Sequence, residues 1–252
     1  MVRVLPTARW QQAAANTALI TVLSTASSVL VGTIFAYVVT RGQAWLSKVF
    51  SFMPLLLLVT PPFVGGFAFI LLFGRRGLVT YQLFGLEASP YGWHGLWVAQ
   101  TLTFFPIAYL LMRSAFLRVS AALEHASASL GASKWRTFVG VTLPLTLPGL
   151  ASSVLFIAIS VLSDFGNPML VGGRFRVLAT EVYTQATGWG NFGTAAVLGF
   201  ALLVPAIVLF LLYRLVFAHF GGRFVTELGR GQPLVAPAPP RWLRILGTVF
   251  AA

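Results

Sequence analysis

Five Asp and Glu and three His occur among 252 residues, and their spacing limits the chemistry open to the chain. His94, His125 and His219 stand alone, with no HExxH and no pair at metal-ligand spacing. There is no GxSxG elbow and no GxxxxGK(S/T) loop to hold a nucleotide phosphate. With no Cys, disulfides, thiolate nucleophiles and thiolate-held metals are excluded. Asp164 is the one acid read as lying in or beside an apolar run. A carboxylate at the centre of a membrane helix costs about 2.5 to 3.5 kcal/mol on insertion scales, and such groups usually face a polar path. Two readings stay open for it. Asp164 lines such a path, or it sits at the headgroups and caps a helix or pairs with Arg174 or Arg176, since Gly166 and Pro168 break the helix at once. Glu181, Tyr183, Asn167 and Gln185 are its sequence neighbours, too few ligands for a tight metal cage.

The elements that must position these residues are apolar. Hydrophobic residues make up 58% of the chain, charged residues 9%, and the mean hydropathy is +0.86. A soluble domain carries about 25% charged residues, so a water-soluble globular protein and a disordered one are both excluded. Five apolar runs, 13–39, 49–73, 96–112, 145–162 and 192–217, approach or exceed the roughly 20 residues of a bilayer crossing. The third holds Gln100, Thr101, Thr103 and Pro106, so it is expected to lie buried among other helices, where such groups find partners. Pro54, Pro61-Pro62, Gly65-Gly66, Pro106 and Pro205 read either as hinges or as kink and packing sites.

These runs predict an all-α, polytopic helical membrane protein with about five transmembrane helices and the truncated start of a sixth. The expected organisation is an extracytoplasmic segment at 1–12, a transmembrane domain at 13–228, a Pro-rich linker at 229–240, and the start of a further helix at 241–252. Arg241, Trp242 and Arg244 read there as an interfacial anchor, and the chain is expected to be a fragment of a longer protein. No cleaved signal peptide is read at the N-terminus.

A net charge of +12 would suggest nucleic acid in a soluble chain. Here the basic residues fall in the gaps between apolar runs, which points to anionic membrane lipid and away from nucleic acid. The gaps after runs one, three and five hold Arg41, Lys48, Arg113, Arg118, Lys134, Arg136, Arg214, Arg223, Arg230, Arg241 and Arg244, which is eleven. The other side holds Arg3, Arg9, Arg75, Arg76, Arg174 and Arg176, which is six. The bias puts the N-terminus outside.

The loop at 119–149 is the most informative. Ser120 is a helix cap, the residues that follow are mostly good helix formers, and Gly131 supplies the left-handed residue that ends the helix. Ser133 caps a second short helix running towards Leu143-Pro144. Ala121, Ala122, Ala126, Ser127, Ala128 and Ser129 leave a face with little side-chain bulk, open to close approach by a partner. The other reading is a helix lying on the headgroups, for which only Trp135 and Phe138 offer bulk.

Glu124-His125-Ala126-Ser127, Gly131-Ala132-Ser133, Trp135-Arg136 and Leu143-Pro144 resemble the EAA loop of binding-protein-dependent ABC transporter permeases (the MetI-like group). That pattern is E-A-A, three residues, G, nine residues, I-x-L-P. Counting back from Gly131, its Glu falls on His125 and its second Ala on Ser127, while Glu124 lies one residue early and Val141 takes the Ile position. The resemblance implies a coupling helix that fits a groove on a separate cytoplasmic ATPase, with Glu124, His125, Ala126, Ser127, Gly131, Leu143 and Pro144 as the coupling residues. A second stretch, Leu162-Ser163-Asp164-Phe165-Gly166-Asn167-Pro168 followed by Gly172-Gly173, Val177-Leu178-Ala179-Thr180 and Tyr183, is similar to ferric-iron permeases, with thiamine and polyamine permeases as close neighbours. It implies most of the first half of a two-half permease in the bacterial inner membrane, with Asp164 and Asn167 on the translocation path. The implied partners are the ATPase, a periplasmic substrate-binding protein and a second permease half or subunit. No cofactor and no enzymatic activity are implied. An intramembrane enzyme and a gated channel are the distant alternatives.

Overall fold

The computed structural model describes residues 8–42, 44–59, 62–85 and 89–228. The readings made on 1–7 and on the Pro-rich and terminal segments at 229–252 fall outside the described residues. All regular structure among the described residues is helical. Among the described residues five segments are long and apolar enough to cross a membrane: Ala8–Arg41, Val64–Leu83, Trp93–Arg118, Lys134–Ser163 and Phe192–Leu215.

The core is three helices, α1 (Ala8–Arg41), α4 (Trp93–Arg118) and α7 (Leu143–Ser163), each packed on the other two. α1 and α4 run parallel, since Ser24 meets Gln100 and Arg41 meets the end of α4. α7 runs back between them, its Ile157 packed with Ala108 and Val29. The seam is built on small residues: Thr17, Thr21, Ser24, Ser28, Gly32 and Ala36 recur at helical spacing along the buried face of α1. Gly32 marks the closest approach, since a Cβ there would stand 2.6 Å from the Tyr109 backbone nitrogen. As its polar residues foretold, α4 is the central helix, with Gln100 and Pro106 buried.

Four elements differ from the sequence reading. α1 begins at Ala8, inside the segment read as extracytoplasmic. The second run divides into α2 (Ala44–Val59) and α3 (Pro62–Phe73). Pro62 takes the first-turn position of α3, where its missing N–H costs nothing. The third run is longer than its apolar centre, at 26 residues. The second arm of the loop is also no separate small helix. α6 (Lys134–Thr137) passes through a π-helical turn, Phe138–Thr142, straight into α7. A proline ring collides with the carbonyl four residues back, here at Gly140, and the wider π turn gives Pro144 room.

α8 (Gly166–Val171) and α9 (Leu178–Tyr183) close the end of the bundle where α7 stops, and α10 (Phe192–Leu228) packs on α9 and α7. The molecule thus has two ends. One gathers Arg41, Arg113, Arg118, Lys134 and Arg136 with the loop helices, and the other gathers Arg9, Arg75, Arg76, Arg174 and Arg176 with α8 and α9.

Candidate functional site

α5 (Ala121–Ser129) stands outside the bundle and is defined at both ends by local sequence. Val119 leaves α4 in an extended conformation, and the Ser120 hydroxyl oxygen then accepts from the Ala122 N–H at 3.3 Å. At the far end the Gly131 N–H donates to the Ala128 carbonyl at 2.9 Å and the Ala132 N–H to Ser127 at 3.2 Å. With Gly131 at φ +82°, this is a Schellman ending. Ser133 accepts from the Arg136 N–H at 3.3 Å and starts α6. The Ser127 and Thr137 hydroxyls, 3.0 Å apart, tie the two arms together.

The predicted coupling residues do not all face the same way. Ala121, Ala122, His125, Ala126, Ala128 and Ser129 are exposed, and Leu123, Leu130 and Trp135 add exposed apolar surface. Ser127 is half-buried, and Leu143 and Pro144 lie in the first turn of α7. Glu124 points inward. Its carboxylate accepts from the Thr142 hydroxyl at 2.7 Å and from Arg41 Nε at 2.9 Å. His125, at the position of the family glutamate, is the residue turned outward.

At the opposite end, α7 stops at Ser163 and Asp164 turns the chain with ψ 115°. One carboxylate oxygen accepts from the Gln100 and Asn167 side-chain amides, both at 2.9 Å, and the other from the Asn167 backbone N–H at 3.2 Å. Gln100, fully buried, is fixed in turn by the Ser24 hydroxyl at 2.8 Å. Asn167 is buried, reaches Thr103 at 3.4 Å, and keeps its own side-chain carbonyl oxygen without a hydrogen-bond partner. This set of amide donors replaces the pairing with Arg174 or Arg176 that was left open for Asp164, and the bond from the Asn167 N–H is the helix-capping alternative. Arg176 lies instead 3.6 Å from Glu181, which Arg9 holds at 2.7 Å. Glu181, 3% exposed, is the deepest acid described, and the sequence reading of Asp164 as the sole embedded acid overlooked it. Of the other outer residues, Tyr183 stacks on Phe165 and Gln185 is buried. The described residues hold no group of three metal-ligating acids or histidines.

Residues 7–221 match the family described as the binding-protein-dependent transport system inner membrane component. The chain belongs to that family. It is 36% identical over 213 residues to the ferric transport system permease protein of Actinobacillus pleuropneumoniae, a match covering 81% of the chain and 30% of the relative. It is 33% identical over 176 residues to the molybdenum transport system permease protein of Escherichia coli K12, covering 65% of the chain and 75% of the relative. The chain therefore spans about a third of the ferric relative and most of the molybdenum one. A bacterial alginate ABC transporter crystallised with its pentasaccharide-bound periplasmic protein shares the fold, with TM-score 0.73 and 16% identity over 86% of this chain and 81% of that one. Family membership makes the chain a multi-pass inner membrane transport component, not an enzyme.

The residues that sequence reasoning missed are partners. Arg41 and Thr142 hold Glu124, Gln100 holds Asp164, and Arg9 holds Glu181. Gln100 alone carried a signal, as a full amide in the middle of an apolar run.

Proposed function

We propose that this chain is permease material of an ABC importer for ferric iron, in which a periplasmic binding protein delivers the ion, Asp164 and Asn167 line part of its path, and α5 docks a separate cytoplasmic ATPase. A second permease half or subunit completes the path. The observation that carries the reading is α5, a capped helix that offers small exposed residues at the tip of a rigid three-helix bundle. A surface-lying helix would instead sink a broad bulky face into the headgroups, whereas within α5 Leu123 is the one exposed bulky apolar side chain.

The substrate rests on the ferric relative and on charge. Asp164 is held by uncharged amides, and among the described residues no cation pairs with it, which favours a cation over an oxyanion. The second reading is molybdate, supported by the molybdenum relative, of which the chain covers 75%. Uptake of radiolabelled ferric iron and of molybdate, measured in a deletion strain carrying the assembled transporter, separates the two. Iron uptake without molybdate uptake is the expected result, and the reverse would overturn the ferric assignment.

A further inference from the structure

We propose that Glu124 is a positioning residue that braces the coupling helix to the ends of α1 and α4, and does not itself contact the ATPase. The proposal rests on the reading of α5 as the docking helix. A single guanidinium joins three elements. Arg41, the last residue of α1, donates through Nε to Glu124 at 2.9 and 3.1 Å and through Nη2 to the carbonyls of Phe116 at 3.2 Å and Val119 at 3.5 Å. Those carbonyls end α4, where a helix dipole favours a cation, and Glu124 lies in the first turn of α5, where it favours an anion. Thr142 adds the start of α7 to the same carboxylate.

The geometry already commits Glu124 to partners inside the chain. Both side chains of the pair are about one-fifth exposed, and the carboxylate already accepts from two donors. His125, one position on, is rotated by about 100° around the helix and is exposed. A displacement of α5 by a docked partner therefore reaches α1 and α4 through the ion pair as well as through the backbone at Val119-Ser120. α1 and α4 are locked together along their length by the small-residue seam, so both move as one body.

The test is a double-mutant cycle in the assembled transporter, reading ATP hydrolysis stimulated by the loaded binding protein alongside the amount of ATPase that co-purifies. Glu124→Gln and Arg41→Gln are each expected to lower stimulation about fivefold with co-purification intact, and the double variant to fall well short of the product of the two singles, as for residues that act through a shared contact. Multiplying effects, or a neutral Arg41→Gln beside a Glu124→Gln that loses the ATPase, would overturn the brace. A second measurement needs no ATPase. Spin labels on Thr40→Cys and Leu123→Cys should give a narrow distance distribution that broadens in Glu124→Gln, and an unchanged distribution would refute the brace. If the wild-type chain carries narrow distances yet co-purifies with no ATPase, the docking reading fails while the brace stands.

Discussion

Glu124 and Asp164 sit at opposite ends of the same bundle and are treated in opposite ways. Glu124 meets a guanidinium at 2.9 Å, so its charge is cancelled where it stands. Asp164 meets only amide N–H groups, and among the described residues no cation pairs with it. Amide donors stabilise a carboxylate without neutralising it. The first acid serves architecture, and the second has no counter-ion among the described residues. Glu181 makes the contrast sharper, because it lies at the same end as Asp164 yet is paired with Arg9 and Arg176. Being at that end does not by itself leave an acid unpaired. Asp164 is met instead by Gln100, set in the apolar centre of α4, and by Asn167.

The largest effect is all-or-none and concerns which end faces which compartment. The charge bias puts the end with Arg41 and α5 in the cytoplasm. In a chain with no Cys, Lys134→Cys should escape a membrane-impermeant thiol reagent applied to intact cells, while Arg174→Cys should react. Labelling at 134 but not at 174 would invert the comparison.

Next in size is the turn that aims the coupling helix. Gly131 holds φ +82°, and a Cβ there would meet nothing within 4 Å. The Cβ of Gly131→Val therefore adds no clash but brings backbone strain of about 1 to 2 kcal/mol, which relaxes by changing the turn and re-aiming α5. Transport should uncouple from ATP hydrolysis in the assembled transporter while the protein still reaches the membrane. Unchanged uptake and ATPase stimulation would show that this turn does not set the docking geometry.

Asp164→Asn probes the other acid. The amide keeps the shape but loses the charge and sets N–H against N–H among those donors. Ferric uptake is expected to slow about tenfold, equivalent to about 1.4 kcal/mol on the barrier, with assembly preserved. Glu181→Gln at the same end is expected to lower thermal stability and leave the uptake rate per assembled transporter unchanged. If the two variants behaved alike, the distinction between an acid that serves architecture and one without a counter-ion would collapse.

What the sequence made legible was local. Ser120, Gly131 and Ser133 announce α5 and its turns because caps and left-handed residues act over three or four positions. Gln100 and Pro106 announced a buried third helix because polar groups in an apolar run need protein partners. The pairings were not legible, since Arg41 and Glu124 lie 83 positions apart and Gln100 and Asp164 lie 64 apart. Element boundaries failed at prolines. Pro62 restarts a helix inside one apolar run, while Pro144, which read as the end of a short helix, is absorbed by a π turn. Proline lacks the N–H in either case, and whether the helix breaks depends on the backbone around it.

The smallest predicted effect asks how Glu124 is held, by charge or by hydrogen bond. Thr142 is buried and donates the shorter contact, 2.7 Å to one carboxylate oxygen, whereas Arg41 contacts both oxygens. Thr142→Val keeps the branched shape and removes only the hydroxyl. A hydrogen bond to a charged group contributes about 1.5 to 3 kcal/mol. Glu124 is about one-fifth exposed, so water can replace the lost donor in part and the net cost falls to about 1 kcal/mol or less. Stimulated ATP hydrolysis in the assembled transporter should drop by about twofold, against about fivefold for Arg41→Gln. A Thr142→Val defect equal to that of Arg41→Gln would shift the brace from α1 to α7, because the carboxylate would then be oriented by the hydroxyl and merely accompanied by the guanidinium.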